Sequence, residues 1–269
     1  MDFLGDVVAW FLEPTNWTGP RGLLMRTWQH VSISALGIAI SVVVALPPAV
    51  LLGHVRRGGL VAVSAINVGR AIPSFGIVGV MFPITLSIGF LVSPLGFWAT
   101  LIALILLAMP PMFVNAYTAV SEVDPAFVEA ARGMGMTEVG ILRRVEIPLG
   151  LPLIMAGIRT AAVAVIATAT LGAVVGFGGL GRYIIDGFAQ GDDVLILVGG
   201  LLVALLAVVT ELGFGWLEHR TDPMRGGCGG VLRPPEPAPS HVVQRGVVQR
   251  GVVERGHVTP GLDQPSSGR

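Results

Sequence analysis

Long apolar stretches alternate along the chain with short polar segments. A helix that crosses a bilayer needs about 20 predominantly apolar residues, and five stretches meet that requirement. They are residues 31–53, 60–84, 97–119, 156–176 and 194–216. The second contains Arg70, the fourth Arg159 and the fifth Glu211. The pattern predicts an all-α membrane protein with about five transmembrane helices.

Composition supports a bilayer environment. Hydrophobic residues make up 53% of the 269 residues and charged residues only 13%, against about 25% charged in soluble domains. The formal net charge is zero, which does not favour nucleic acid as a partner. The single cysteine, Cys228, excludes a disulfide framework within the chain, and the five histidines lack metal-ligand spacing. We therefore expect no catalytic or metal site, and a protein that is not an enzyme.

The distribution of arginine predicts the orientation, because short cytoplasmic loops carry an excess of basic residues. Arginines follow the first, third and fifth spans: Arg56, Arg57, Arg132, Arg143, Arg144, Arg220 and Arg225. The loop after the second span has none, and the loop after the fourth has only Arg182, beside three acids. We expect the N-terminus outside, the C-terminus in the cytoplasm, and residues 121–150 as the largest cytoplasmic loop.

The two ends differ from the membrane domain, residues 28–217. Residues 1–27 begin with an amphipathic pattern, in which Asp2, Asp6 and Glu13 share one helical face. This pattern fits a helix on the membrane surface or a short helix packed on the protein. Residues 218–269 are rich in Pro, Gly and Arg and include the repeat VVQRGVVQRGVVERG, which predicts a disordered low-complexity tail.

Loop 121–150 is the most charged part of the membrane domain, and its pattern predicts two short helices. Asp124 and Pro125 form a strong helix start, and Gly133 and Gly135 end that helix. One face of it carries Phe127, Ala130, Ala131 and Met134, and another carries Glu129 and Arg132, which are expected to pair weakly.

Thr137 is expected to cap the second short helix, and Arg143 and Arg144 suit its last turn. Pro148 is expected to close this helix, and Pro152 follows as the chain re-enters the bilayer. On periodicity alone, a hairpin that only connects two spans remains an open interpretation.

The residues of this loop resemble the EAA loop of permeases from binding-protein-dependent ABC importers. That pattern reads Glu-Ala-Ala, three residues, Gly, nine residues, Ile, one residue and Leu-Pro. The matching positions are Glu129, Ala130, Ala131, Gly135, Val145, Ile147 and Pro148. Val145 stands where Ile is usual and Ile147 where Leu is usual, and both keep apolar bulk.

A wider similarity runs from about Arg26 to Trp216. RAIPSFGI (70–77), the segment 123–161 and GFGGLG (176–181) resemble the osmoprotectant branch, which imports glycine betaine, carnitine, choline or proline. The resemblance implies a methionine-importer-like ABC permease fold in the plasma (inner) membrane of a bacterium. It also implies three kinds of partner besides lipids: a second permease subunit, the same or similar, an extracytoplasmic substrate-binding protein, and two cytoplasmic ATPase subunits.

The resemblance further implies that the EAA loop is a coupling helix seated on the ATPase. Glu129 would make a polar contact with the ATPase, Ala130 and Ala131 would permit close packing, and Gly135 would form the bend. ATP and Mg would be bound by the partner ATPase, and no cofactor by this chain. GFGGLG lacks the Gly-Lys-Ser/Thr ending of a phosphate loop, so we expect it to form a re-entrant turn or gate on the outer side.

Candidate residues of the translocation pathway lie in the second span. Arg70 precedes Pro73, which is expected to kink the span, and the group is Arg70, Pro73, Ser74 and Phe75. Pairing of Arg70 with backbone carbonyls is an equally good interpretation. Arg159 and Glu211 are expected near the cytoplasmic ends of the fourth and fifth spans, where a side chain can extend its charged group into water at little free-energy cost.

Two other functions are compatible with the apolar pattern. The first is an ABC importer permease for another small solute. The second is an ion-coupled secondary transporter, which would be expected to carry internal repeats and acidic residues at the membrane midplane. Neither feature is evident in the sequence, where only Glu211 approaches such a position.

Overall fold

The computed structural model describes residues 3–56, 61, 63–64, 66–67, 73–88 and 94–221. Every regular element among these residues is helical, which confirms the predicted all-α class. The α-helices are α1 (Phe3–Leu12), α2 (Leu23–Val55), α3 (Ser74–Ser87), α4 (Phe97–Ser121), α5 (Pro125–Gly133), α6 (Glu138–Ile141), α7 (Ile147–Thr168), α8 (Gly181–Gln190) and α9 (Asp193–Thr221). Two 3₁₀ turns (Pro14–Asn16 and Ala169–Val175) and a π-helical stretch (Leu142–Glu146) complete the order.

Four helical runs of the described chain are long and apolar enough to cross a membrane: Leu23–Val55, Phe97–Ser121, Glu138–Val175 and Asp193–Arg220. They correspond to the first, third, fourth and fifth predicted spans. The second predicted span, 60–84, lies partly outside the described residues. Its described part includes α3, which with 14 residues is too short to cross a bilayer alone.

The main core lies where α2, α4 and α7 pack together. Its buried side chains are mostly small or branched, and include Ile33, Ala45, Ala49, Leu104, Ala108, Met112, Ala116, Ala161 and Val165. Glycines let these helices approach closely. A Cβ on Gly157 would lie 2.7 Å from Asn115 Cβ, and one on Gly150 would lie 2.8 Å from the Ala119 carbonyl oxygen.

Helix α1 packs on the protein through one side. Val7 is buried, and the Trp10 ring meets the Tyr183 ring edge to face at 5.5 Å. Other large apolar side chains of α1 are exposed: Phe3, Leu4, Val8 and Leu12. The interpretation as a helix packed on the protein is therefore confirmed for one side, and contact of the exposed side with the membrane stays a prediction.

Loop 176–181 is docked on the first turns of α2. Gly176 and Gly179 have φ angles of 85° and 89°, a region that favours glycine. The Gly179 amide donates to Gln29 Oε1 at 3.0 Å, and the Leu180 amide donates to His30 Nδ1 at 3.3 Å. Because Nδ1 accepts, the proton lies on His30 Nε2, which donates to the Ile166 carbonyl at 2.9 Å. The neutral, buried His30 thus joins α2, α7 and this loop.

One expectation about proline was wrong and another stays a prediction. Pro73 immediately precedes the first residue of α3, but residues 68–72 lie outside the described residues, so a kink of the span at Pro73 stays a prediction. Pro148 does not close a helix, since it lies in the first turn of α7. The π-helical stretch before it shifts the hydrogen-bond register, with the Ile147 amide bonded to the Leu142 carbonyl five residues earlier. The helix therefore continues through Pro148 into the membrane span.

The predicted tail begins within α9, which runs to Thr221. Residues 218–221 are therefore helical, and residues 222–269 lie outside the described residues, as do Arg70 and Arg225. The predicted disorder of the tail stays a prediction.

Candidate functional site

Local capping builds the two short helices of loop 121–150. The Asp124 carboxylate accepts the Ala126 amide at 2.9 Å, and Pro125 is the first residue of α5. Gly135, with φ of 81°, makes the turn after α5. Thr137 then caps α6 by accepting the Gly140 amide at 3.2 Å. The predicted helix starts are confirmed.

The inner side of the loop forms its own small core. Val123, Val128, Ala131 and Ile141 are buried against one another, and Met136, Val145 and Leu149 pack around them. The predicted face of α5 is therefore divided. Ala131 is buried at 2% exposure, whereas Phe127 and Met134 are 57% and 77% exposed. The face predicted for Phe127, Ala130, Ala131 and Met134 is only partly buried, because the inner core covers Ala131 and leaves the other three exposed.

The outer side of the loop is apolar with charged neighbours. Three large apolar side chains on α5, the turn and α6 are exposed, Phe127, Met134 and Val139, and we call these three residues the loop surface. Glu129 and Ala130 are also exposed. Exposed apolar side chains on a short, capped and internally packed element suit contact with another protein.

The charges of the loop pair differently from the prediction. Arg132 makes no close ion pair with Glu129, whose charge attracts it only at longer range. It forms two hydrogen bonds to Glu138, Nε to Oε1 at 2.8 Å and Nη2 to Oε2 at 3.0 Å, and these bonds raise the pKa of the Arg132 guanidinium. Within the described chain Glu129 forms no ion pair within 4.0 Å and is exposed, so its carboxylate is accessible to an external contact.

A buried pair ties the loop to the end of α2. Glu146, only 1% exposed, lies with Oε2 2.5 Å from His54 Nδ1. His54 Nε2 lies 3.4 Å from Glu138 Oε2, and Arg56 Nη2 donates to the Val123 carbonyl at 2.6 Å. The end of α2 thus contacts the segment before α5, helix α6 and the π-helical stretch.

Sequence reasoning missed both members of this pair. The histidines were considered only for metal-ligand spacing, and Glu146 was not singled out. The sequence feature that could have indicated the pair is the position of Glu146 between Val145 and Ile147. An acid between apolar residues requires a partner when it is buried.

The remaining motif residues hold the loop against the membrane domain. Val145, Ile147 and Pro148 are half-buried, and Gly150 allows α7 to cross the end of α4. The motif positions are therefore divided between an exposed group, Glu129, Ala130 and Gly135, and an inner group, Ala131, Val145, Ile147 and Pro148.

The pathway candidates are less fully described. Ser74 and Phe75 begin α3 and Pro73 directly precedes it, with Phe75 57% exposed, and Arg70 lies outside the described residues. Elsewhere in the described chain Arg159 of α7 donates from Nε to Glu211 Oε1 at 2.8 Å and from Nη1 to Glu218 Oε2 at 3.1 Å. Among the described residues no group of three His, Cys, Asp or Glu side chains could hold a metal ion.

Comparison with known proteins places most of the chain in one family. Residues 27–223 match the family described as "Binding-protein-dependent transport system inner membrane component". The chain is 38% identical over 218 residues to the carnitine transport permease protein OpuCB of Listeria monocytogenes, covering 81% of this chain and 94% of that protein. It is 35% identical over 206 residues to the glycine betaine/carnitine/choline transport system permease protein OpuCD of Bacillus subtilis (strain 168), covering 76% and 86%.

A third relative is the choline transport system permease protein OpuBD of Bacillus subtilis (strain 168), with 35% identity over 73% of this chain and 84% of that protein. Among solved structures, an inward-facing MetNI methionine ABC transporter matches with a TM-score of 0.65 and 22% identity, covering 74% of this chain and 95% of that chain. The methionine-importer-like fold is thereby confirmed.

Proposed function

The chain belongs to the family of binding-protein-dependent transport system inner membrane components, and on this basis we propose that it is the permease subunit of a bacterial osmoprotectant importer. The proposed solutes are quaternary ammonium compounds, such as glycine betaine, carnitine and choline, or proline. Support comes from the relatives, which are named for carnitine, glycine betaine and choline transport.

The observation that carries the coupling role is the construction of loop 121–150. Its inner side is fixed by a small core and by the His54–Glu146 pair, whereas its outer side exposes the loop surface and Glu129. A rigid pair of short helices with an exposed apolar face suits a docking element that transmits movement. We propose that it seats on a cytoplasmic ATPase, which binds ATP and Mg.

Individual motif residues receive different proposed roles. Glu129 makes a polar contact with the ATPase, Ala130 permits close approach, and Gly135 forms the bend between the two helices. Ala131 is buried against the inner core, so its proposed role is to hold α5 in place rather than to contact the partner. Val145, Ile147 and Pro148 connect the loop to α7.

The proposed assembly follows the arginine distribution and the family. The N-terminus lies outside and the C-terminus in the cytoplasm, so loop 121–150 faces the ATPase and loop 176–181 faces an extracytoplasmic substrate-binding protein. A second permease subunit, the same or similar, completes the pathway. Arg70, Pro73, Ser74 and Phe75 remain the proposed pathway residues.

The proposed mechanism is conformational. ATP binding to the partner favours one of two conformational states of the permease. The loop transmits the movement of the ATPase to the spans, because it is rigidly attached to α2 and α7. Glu211, which approached the position of an ion-coupling acid, pairs with Arg159. This pairing favours a structural role for Glu211 over ion coupling.

The solute class is tested by uptake of labelled glycine betaine, carnitine, choline and proline under salt stress, in a strain that lacks its own osmoprotectant importers. We expect salt-stimulated uptake of at least one compound when the complete importer is expressed. Uptake of none of them would contradict the osmoprotectant assignment and leave the importer assignment standing.

The coupling role is tested by replacing Glu129 and Gly135 together in the purified importer. We expect the double variant to lose assembly with the ATPase or solute-stimulated ATP hydrolysis. Gly133→Ala is a matched control, because Gly133 faces open space and a Cβ there meets no other atom. Unchanged assembly and hydrolysis in the double variant would show that the loop is not the coupling element.

A further inference from the structure

Two cavities that share four lining residues lie at the end of α2 remote from loop 121–150. They have volumes of about 280 and about 420 Å³, and both are lined by Arg21, Arg26, Asp186 and Gln190. Arg26 precedes His54 by 28 positions on the same helix, a separation of about 42 Å at 1.5 Å per residue. These cavities are therefore separate from the coupling loop.

The shared lining carries an excess of positive charge. Arg182, at the larger cavity, pairs with Asp186 through Nη2 and Oδ1 at 2.5 Å. Neither Arg21 nor Arg26 forms an ion pair within 4.0 Å in the part of the chain that the structure describes, and Asp186 attracts Arg26 only at longer range. The Arg26 Nε is buried and makes no hydrogen bond to any described residue. A buried donor without an acceptor is unfavourable, so the site is suited to an anion.

The rest of the lining suits a ligand that carries both charges. Trp10 and Tyr183 line the smaller cavity together with Arg26 and Asp186. Aromatic rings suit a quaternary ammonium group, whereas a guanidinium fork matches a carboxylate through two parallel hydrogen bonds. The volumes lie near the lower end of the range for small-molecule sites, about 300–1,000 Å³.

We propose that this cavity binds a zwitterionic solute by its carboxylate, with Arg26 as the main partner and Arg21 as the second. The inference rests on the proposed function, because carnitine and glycine betaine are zwitterions with a carboxylate. Choline has the same quaternary ammonium group and a hydroxyl in place of the carboxylate. The cavity therefore distinguishes solutes that the importer would otherwise treat alike.

The test compares uptake of carnitine and choline by the complete importer in cells that lack other osmoprotectant importers. Arg26→Gln removes the charge and the fork, and we expect it to raise the KM for carnitine about tenfold, the effect of losing one charge-assisted hydrogen bond. The KM for choline should stay within about twofold of wild type. Arg26→Lys, which keeps the charge and loses the fork, should give an intermediate change for carnitine.

Two further variants make the result decisive. Arg220→Gln is the matched control, since Arg220 stacks on Trp216 outside the cavity, and it should change neither KM. Arg21→Gln alters an exposed side chain and should shift carnitine in the same direction by less. If Arg26→Gln is not inserted into the membrane, the carnitine KM of Arg21→Gln is the measurement that tests the inference.

The outcomes separate the inference from the proposed function. The inference would be overturned if the ratio of the carnitine KM to the choline KM were the same as in wild type in both the Arg26 and the Arg21 variants. It would also be overturned if uptake of both solutes fell equally. If wild-type protein imports neither compound, it is the proposed function that fails.

Discussion

Removal of His54 tests how the loop is held, because it leaves Glu146 buried without its partner. Glu146 is 1% exposed, and the distance from its Oε2 to His54 Nδ1 is 2.5 Å. Removing one member of a buried pair costs about 3–5 kcal/mol, whereas replacing both members with apolar residues of similar size is often near neutral. His54→Leu should therefore be more damaging than the double variant His54→Leu/Glu146→Met.

The predicted size can be expressed as a melting temperature. For a two-state domain of 150–250 residues, a loss of about 3 kcal/mol corresponds to a Tm lower by about 6–12 °C, which sets the scale for the difference between His54→Leu and wild type. Glu146→Met alone should cost less, because the His54 side chain is 16% exposed and retains Glu138 at 3.4 Å. The double variant should recover most of the loss caused by His54→Leu.

The assay is thermal unfolding of the purified importer in detergent for wild type, both single variants and the double variant. Because a multi-subunit membrane complex does not unfold in a two-state manner, the comparison uses differences among the four proteins. Solute-stimulated ATP hydrolysis at a permissive temperature should follow the same order. Additive effects of the two single changes would refute the reasoning, because they would show that His54 and Glu146 do not stabilise each other.

The other predictions concern glycines and the docked loop. Gly157→Ala should destabilise the protein by about 1–3 kcal/mol, because the new Cβ would lie 2.7 Å from Asn115 Cβ. Gly200→Ala should not destabilise it, because the space around Gly200 is open. Thermal unfolding of the two variants tests this difference. Gly135→Ala should cost about 1–2 kcal/mol, because its φ is 81°, and should reduce solute-stimulated ATP hydrolysis relative to Gly133→Ala; equal behaviour of the two variants would contradict the proposed bend. Gln29→Ala should increase proteolysis within loop 176–181 by removing the acceptor of the Gly179 amide, and a wild-type cleavage pattern would argue against this anchor.

The features that sequence predicted best are set by local chemistry. The helix start at Asp124 and Pro125 and the Thr137 cap depend on residues within three positions of each other, and all were confirmed. Four spans were visible because each places a long apolar run with few charges in one helix. The EAA spacing identified the loop, and the family comparison confirmed the resemblance.

The features that sequence missed depend on residues far apart in the chain. Glu146 and His54 are separated by 92 positions, and the anchors of loop 176–181 by 150, so no local pattern contains them. The pairing of Arg132 with Glu138 was missed because it crosses the turn at Gly135, whereas the expected partner, Glu129, lay on the same helix. The prediction that Pro148 closes a helix was wrong because a π-helical register allows the chain to stay helical through this proline.

Docking of the loop surface on the ATPase is tested most directly by co-purification with Phe127→Glu. Phe127 and Phe188 are 57% and 68% exposed, so Phe188→Glu on α8 is a matched control for a new charge at an exposed phenylalanine. The account predicts that Phe127→Glu abolishes co-purification of the ATPase with the permease, whereas Phe188→Glu retains it. Full retention of the ATPase by Phe127→Glu would contradict the account.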